Sequence, residues 1–161
     1  WFLYQGVIDP LGGINTLWPL FGIANQMLAA IALLLVGTLL VKAQRARHAW
    51  VALLPASWIL VVTLTAGWQK LFHVDPRIGF LAHADKFSAA FAEGEVLAPA
   101  KSLAQMQQVI FNDHINATLC VLFMSVVLVM LFCSLRAMRA ALRSGQIEST
   151  ETPVVLVGER A

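Results

Sequence analysis

Three long apolar stretches dominate the pattern of hydrophobic and polar positions along the chain. Residues 10–41 contain no Lys, Arg, His, Asp or Glu, and residues 50–68 and 116–135 are equally free of charge. The hydrocarbon core of a bilayer is about 30 Å thick, and about 20 helical residues cross it at a rise of about 1.5 Å each. A helix on the surface of a soluble protein would instead show a polar face. The pattern therefore predicts three transmembrane helices, at roughly 20–41, 50–68 and 116–135.

The positive charges in the connections predict how these helices are oriented. The loop 42–49 carries three Lys or Arg residues and no acid, and three Arg residues follow the third span. The connection 69–115 spreads its four Lys and Arg residues over a much longer stretch. Loops that are rich in Lys and Arg stay on the cytoplasmic side of a membrane. We therefore expect 42–49 and the C-terminus in the cytoplasm and 69–115 outside.

The outer connection and the tail differ in their patterns. In 78–93, apolar residues recur at helical spacing and Gly94 follows as a stop signal. In 102–111, a shorter apolar stripe follows Ser102, which is a candidate N-cap. Both stretches are predicted amphipathic helices that lie at the membrane surface or cover the outer mouth of a cavity. The polar tail 144–161 is predicted to be a disordered cytoplasmic segment.

The composition supports a membrane protein and argues against several other classes. Hydrophobic residues make up 59% of the chain and charged residues 12%, whereas soluble domains are about 25% charged. The net charge of +2, without a basic stripe, argues against nucleic acid as a partner. Cys120 and Cys133 show no metal-ligand spacing. We also find no nucleophile with a base and no phosphate loop, so the sequence predicts no enzyme, metal site or cofactor.

The least regular part of the chain is 9–26, DPLGGINTLWPLFGIANQ. Its Asp-Pro and Gly-Gly pairs favour turns, yet they adjoin a membrane span. Non-helical backbone at membrane depth is tolerated only where it is buried in protein or lines a cavity, and transporters use such broken helices to bind substrates or ions. We therefore predict that residues 1–19 are the end of a preceding helix and a broken or re-entrant stretch. Residues 20–143 then form the three-helix membrane segment.

Polar, small and helix-distorting residues share one face of the first span. At about 100° per residue, this sector contains Asn15, Pro19, Gly22, Gln26, Leu33 and Gly37. Such residues can let helices approach closely and bond across the contact, or they can line a cavity. The polar groups cluster in one half of the span, which favours the cavity.

Titratable residues lie just before the third span. Asp113 and His114 form either a proton relay or an interfacial polar pair. His73 and His83 lie apart in the connection 69–115, without metal-ligand spacing. Asp9 is the only acid near the first span, and we interpret it as a cap or turn residue.

The chain closely resembles the C-terminal part of the carbon starvation protein A (CstA) family, over roughly residues 1–153. The resemblance rests on GGINTLWPLFGIANQMLAAIAL, the basic turn after it, TLTAGWQK, and ETP in the tail. It implies a bacterial inner-membrane secondary transporter that is linked to carbon starvation and takes up peptides or small carboxylates, such as pyruvate, by cation symport. The matched positions, which we take as candidates for the substrate or ion pathway, are Gly12, Gly13, Asn15, Thr16, Trp18, Pro19, Asn25 and Gln26.

The resemblance also implies which partners the chain has. Members of this family have many more helices, so we expect the chain to be a fragment whose missing N-terminal helices complete the pathway. Its other partners would be the lipid bilayer and a small-molecule or peptide substrate. The inner membrane then places the C-terminus in the cytoplasm and 69–115 in the periplasm. The alternative is a small accessory or assembly subunit that does not itself transport.

Overall fold

The computed structural model describes Tyr4, Val7 and residues 13–144, with the side chains of Tyr4, Val7 and 20–144. Within 13–144 it contains four α-helices, one short 3-10 helix and no strand. The helices are α1 (Gly13–Lys42), the 3-10 helix (Ala46–His48), α2 (Trp50–Phe72), α3 (Phe80–Ala92) and α4 (Leu103–Ser144). The predicted all-α fold class is confirmed.

Three of the helices are long and apolar enough to cross a membrane. They are the Leu20–Lys42 part of α1, the whole of α2, and α4. Their outward surfaces carry large apolar side chains, and Trp58 on α2 is 71% exposed. Such a surface is stable in hydrocarbon, whereas large contiguous apolar patches on soluble monomers are rare. The prediction of three transmembrane helices in a multi-pass membrane protein is confirmed.

The helix α1 packs against both α2 and α4, and small residues allow the close approach. Ala30 of α1 and Ala56 of α2 are fully buried together with Val127 of α4. A Cβ atom added to Gly37 would lie only 2.5 Å from Cδ2 of Leu53. At this point of the contact between α1 and α2, a side chain at position 37 would require Leu53 to shift.

The part of the predicted N-terminal break that the structure describes, residues 13–26, is helical. From Gly13 onward α1 is an uninterrupted α-helix that contains Pro19, although non-helical backbone was expected within 9–26. A membrane favours a continuous helix because each backbone group must be satisfied within the segment. Residues 9–12 lie outside the described residues, as does the tail after Ser144.

The first amphipathic helix of the outer connection is confirmed as α3. It buries Phe80, Ala84, Phe87 and Ala90. Gly94 follows with a φ of +75°, and its N–H donates to the carbonyl of Phe91 at 3.1 Å. The next N–H, that of Glu95, donates to the carbonyl of Ala90 at 2.9 Å. These two bonds form a Schellman motif, which glycine accommodates without steric cost.

The second amphipathic stretch is not a separate helix, and this corrects the sequence-based prediction. It is the beginning of α4, which runs without interruption for 42 residues and is thus about 63 Å long at about 1.5 Å per residue. Ser102 caps it as expected, since its Oγ accepts a hydrogen bond from the N–H of Gln105 at 3.3 Å. No Gly or Pro occurs between 103 and 144 to end the helix. The polar residues before the third span are therefore helical.

Candidate functional site

A cavity of about 310 Å³ lies between α1, α2 and the connection that follows α2. Its walls are formed by Gly22, Ile23, Gln26, Ala66, Gln69, Lys70 and Ile78. Both helices contribute residues that are three or four positions apart, so these residues lie on one face of each helix. The cavity thus combines apolar walls with two amide side chains and one cation.

Gly22 creates space in this cavity. A Cβ atom added there would have no heavy atom within 4 Å, in contrast to the crowded position of Gly37. A glycine inside a helix costs about 0.5–1 kcal/mol relative to alanine. Among the described residues, no close helix contact at Gly22 accounts for this cost, whereas an open cavity does.

Gln26 connects the cavity to the packing of the helices. Its Oε1 accepts a hydrogen bond from Oγ1 of Thr63 at 3.3 Å. Thr63 lies on α2 and is 1% exposed, whereas Gln26 is exposed toward the cavity side. Gln26 therefore bonds across the contact between α1 and α2 and also lines this cavity.

Lys70 is the only charged residue among those lining the cavity. It is half-buried, and its Nζ lies 5.5 Å from the centroid of the Phe80 ring, within the range of a cation–π contact. Within the described part of the chain, no carboxylate forms an ion pair with it. The sequence analysis did not select Lys70 because a lysine near the end of an apolar span ordinarily extends to the membrane surface. The one available signal was its place in the TLTAGWQK block.

A second polar site joins α3 to α4. Nδ1 of His83 and Oδ2 of Asp113 are 2.6 Å apart, and Asp113 is only 4% exposed. The imidazole of His83 also packs against the ring of Phe87 in a tilted arrangement, with ring centroids 4.6 Å apart. Two further polar side chains of α4, those of Asn112 and Asn116, are also buried, and they lie one and three positions from Asp113 in the sequence. A buried carboxylate requires such a partner because its desolvation is costly.

This pairing corrects the expectation that Asp113 and His114 act together. His114 is exposed, and its Nδ1 contacts the carbonyl of Ile110 at 2.8 Å. Adjacent residues on a helix point about 100° apart, so Asp113 faces α3 while His114 faces away. The sequence analysis missed His83 as the partner because 30 positions separate it from Asp113.

Comparison with known proteins shows to which family the chain belongs. A family profile described as Carbon starvation protein CstA matches residues 1–66. The Peptide transporter CstA of Escherichia coli (strain K12) is 51% identical over 95% of the chain, and the Pyruvate/proton symporter BtsT of the same strain is 41% identical over 99% of it. The Peptide transporter CstA of Mycobacterium tuberculosis (strain ATCC 25618 / H37Rv) is 44% identical over 78% of the chain. The chain belongs to the CstA family.

The match to these CstA-family relatives covers only part of their length. The chain spans 22% of each of the two Escherichia coli proteins and 17% of the protein from Mycobacterium tuberculosis. All three are named as transporters. No solved structure matches the chain significantly.

The eight candidate pathway positions lie in the CstA-like block, GGINTLWPLFGIANQMLAAIAL, and the structure describes some of them in more detail than others. Gln26 lines the cavity, and Asn25 is exposed but is not among the cavity residues. Gly12 lies outside the described residues. For five others the structure describes the α1 backbone alone: Gly13, Asn15, Thr16, Trp18 and Pro19. Their assignment to the pathway stays a prediction.

Proposed function

We propose that the chain is the C-terminal part of an inner-membrane secondary transporter of the CstA type. The transporter takes up peptides or small carboxylates, such as pyruvate, by cation symport, and it is not an enzyme. The names of the relatives and the apolar helices support this proposal. The helices that enclose the rest of the pathway would belong to the part of the transporter that precedes this chain.

The cavity between α1 and α2 is the observation that carries the proposal. Polar groups within apolar helices are costly and usually mark the path of a substrate or an ion. Here they converge on an open space that Gly22 keeps free of side chains. Gly22 and Gln26 belong to the GGINTLWPLFGIANQ stretch, and Gln69 and Lys70 belong to TLTAGWQK. We propose that this face of α1 lines the translocation pathway, and that α3 and the start of α4 cover its outer side.

Filling the cavity tests the proposal. In the complete transporter, we expect Gly22→Leu and Gln26→Leu to lower uptake about tenfold or more at unchanged membrane abundance. The physical reason is that each change replaces open or polar space with an apolar side chain. The measurement is uptake of labelled pyruvate and of a labelled dipeptide, normalised to the amount of transporter in the membrane.

Ala29→Leu is the matched control for this experiment. It adds the same side chain to an exposed position of α1 that does not line the cavity, so uptake should stay within about twofold of wild type. Uptake and abundance that fall in parallel in the cavity variants would instead indicate a role in helix packing alone.

The mass of the native protein separates this proposal from the accessory-subunit alternative. An antibody to residues 144–161 should detect a membrane band several times larger than the 17.6 kDa of this chain. A band near 17.6 kDa would favour a separate small membrane protein and contradict a fragment of a transporter.

A further inference from the structure

The positive charge of Lys70 has no counter-ion in the part of the chain that the structure describes. Its Nζ contacts the face of Phe80 at 5.5 Å, and it lines the cavity beside Gln69 and opposite Gln26. The pair of His83 and Asp113 lies elsewhere, between α3 and α4, so the carboxylate of Asp113 does not neutralise Lys70. An ammonium group that lines a cavity beside amide side chains is suited to bind an anion.

We infer that Lys70 binds the carboxylate group of the transported substrate in the cavity between α1 and α2. This inference rests on the proposed function and adds the residue and the chemical group that it recognises. A carboxylate accepts charge-assisted hydrogen bonds from an ammonium group and further bonds from amide N–H groups. Gln69 and Gln26 can supply those amides from the two sides of the cavity.

The other walls of the cavity limit what accompanies the carboxylate. Ile23, Ala66 and Ile78 are aliphatic, so they favour a small apolar group next to the bound anion. The volume of about 310 Å³ is at the low end for small-molecule sites, which begin at about 300 Å³. The cavity therefore suits a small carboxylate or the C-terminal residue of a peptide.

Thr63 keeps one of the amides in place. Its hydroxyl donates to Oε1 of Gln26, which leaves the amide nitrogen as the group that can donate to a ligand. Thr63 is itself buried at the contact between α1 and α2. Gln26 is thus held by the scaffold, and an arrangement fixed before binding loses less entropy when the ligand binds.

The test asks whether Lys70 distinguishes a carboxylate from its neutral amide. In the complete transporter, uptake of labelled pyruvate or dialanine is measured against the competitors pyruvamide and dialanine amide. We expect the wild type to prefer each carboxylate over its amide about tenfold or more, because hydrogen bonds to charged groups are the stronger ones. Lys70→Gln should raise KM for the carboxylates by a similar factor and abolish the preference.

Two further variants serve as controls. Lys70→Arg keeps a positive charge and should retain the preference for the carboxylate. Lys86→Gln removes a charge from an exposed position on α3 that is not part of the cavity, and it should behave like wild type.

A lipid phosphate or an acidic side chain elsewhere in the transporter could also neutralise Lys70. In that case Lys70→Gln lowers uptake without changing the preference, and the inference is wrong.

A second measurement applies if Lys70→Gln does not accumulate in the membrane. In a Cys133→Ser background, Gly22→Cys places a thiol in the cavity, and its reaction with a maleimide should be slowed by pyruvate or dialanine but not by the amides. Equal protection by both, or by neither, overturns the inference. If the wild-type transporter takes up neither carboxylate, the proposed function is contradicted as well as the inference. If Lys70→Gln takes up the carboxylates with an unchanged preference over the amides, only the role of Lys70 is contradicted.

Discussion

Three glycines of the membrane helices have different surroundings, and these decide which substitutions each can accept. A Cβ atom added to Gly37 would lie 2.5 Å from Leu53, and one added to Gly67 would lie 2.7 Å from Sδ of Met124. The carbonyl of Gly67 also accepts a hydrogen bond from Sγ of Cys120 at 3.6 Å. A Cβ atom on Gly22 would contact nothing. Gly37 and Gly67 therefore serve packing, whereas Gly22 borders open space.

Gly67→Val should destabilise the protein. The added side chain overlaps Met124 of α4, and overpacking of this kind costs about 1–3 kcal/mol. The free energy of unfolding in detergent, with increasing SDS, measures the effect. Gly22→Ala is the control and should leave stability unchanged or slightly higher. Equal stability of the two variants would show that α2 and α4 do not pack as closely as described.

At the scale of elements, α4 extends well beyond the length that a bilayer requires. Its first turns pack against α3 through a cluster that includes Phe87, Met106 and Val109. The pair of His83 and Asp113 lies in the same contact between the two helices. The helix α3 is thus attached to α4 by apolar packing and by one buried polar bond.

The bond between His83 and Asp113 should contribute to this attachment. We expect Asp113→Asn and His83→Gln each to lower the free energy of unfolding by about 1–3 kcal/mol, because each leaves a buried or half-buried partner poorly satisfied. The double variant should lose less than the sum, with a coupling energy of about 0.5–3 kcal/mol. Strict additivity in this double-mutant cycle would mean that the two side chains do not interact. His114→Gln, at an exposed position, is the control.

At the scale of the whole molecule, the three spans and the distribution of Lys and Arg predict an orientation in the membrane. The short connection between α1 and α2 carries the basic cluster, and α3 lies in the longer connection between α2 and α4. From the positive-inside rule we expect the first connection in the cytoplasm and the second outside. Three spans with these ends alternate consistently across the membrane.

Labelling of single cysteines tests this orientation. In a Cys133→Ser background, Glu95→Cys in the outer connection should react with a membrane-impermeant maleimide in cells with a permeable outer membrane. Arg45→Cys should react only after the inner membrane is opened. Both positions are exposed, whereas Cys120, the other cysteine of this chain, is buried and should not react. The reverse labelling pattern would invert the topology.

Local features were predictable because they depend on neighbouring residues. The Gly94 stop and the Ser102 cap are confirmed since each is a short-range backbone arrangement that a residue type favours. Local preferences did not show that the polar stretch before the third span belongs to the same helix as that span. Its charge suggested a boundary, but α4 continues through it because Asp113 obtains a partner from α3.

The sequence by itself determined the apolar spans, the sign of their flanking charges and the CstA-like block, since these follow from composition and order along the chain. Only the tertiary structure decided which polar groups meet. Gln26 and Thr63 are 37 positions apart, and the cavity also brings Gln26 together with Lys70 from the next helix. Spacing along one helix shows which residues share a face but not which face of another helix lies opposite. Packing sets that register, and with it the location of the candidate site.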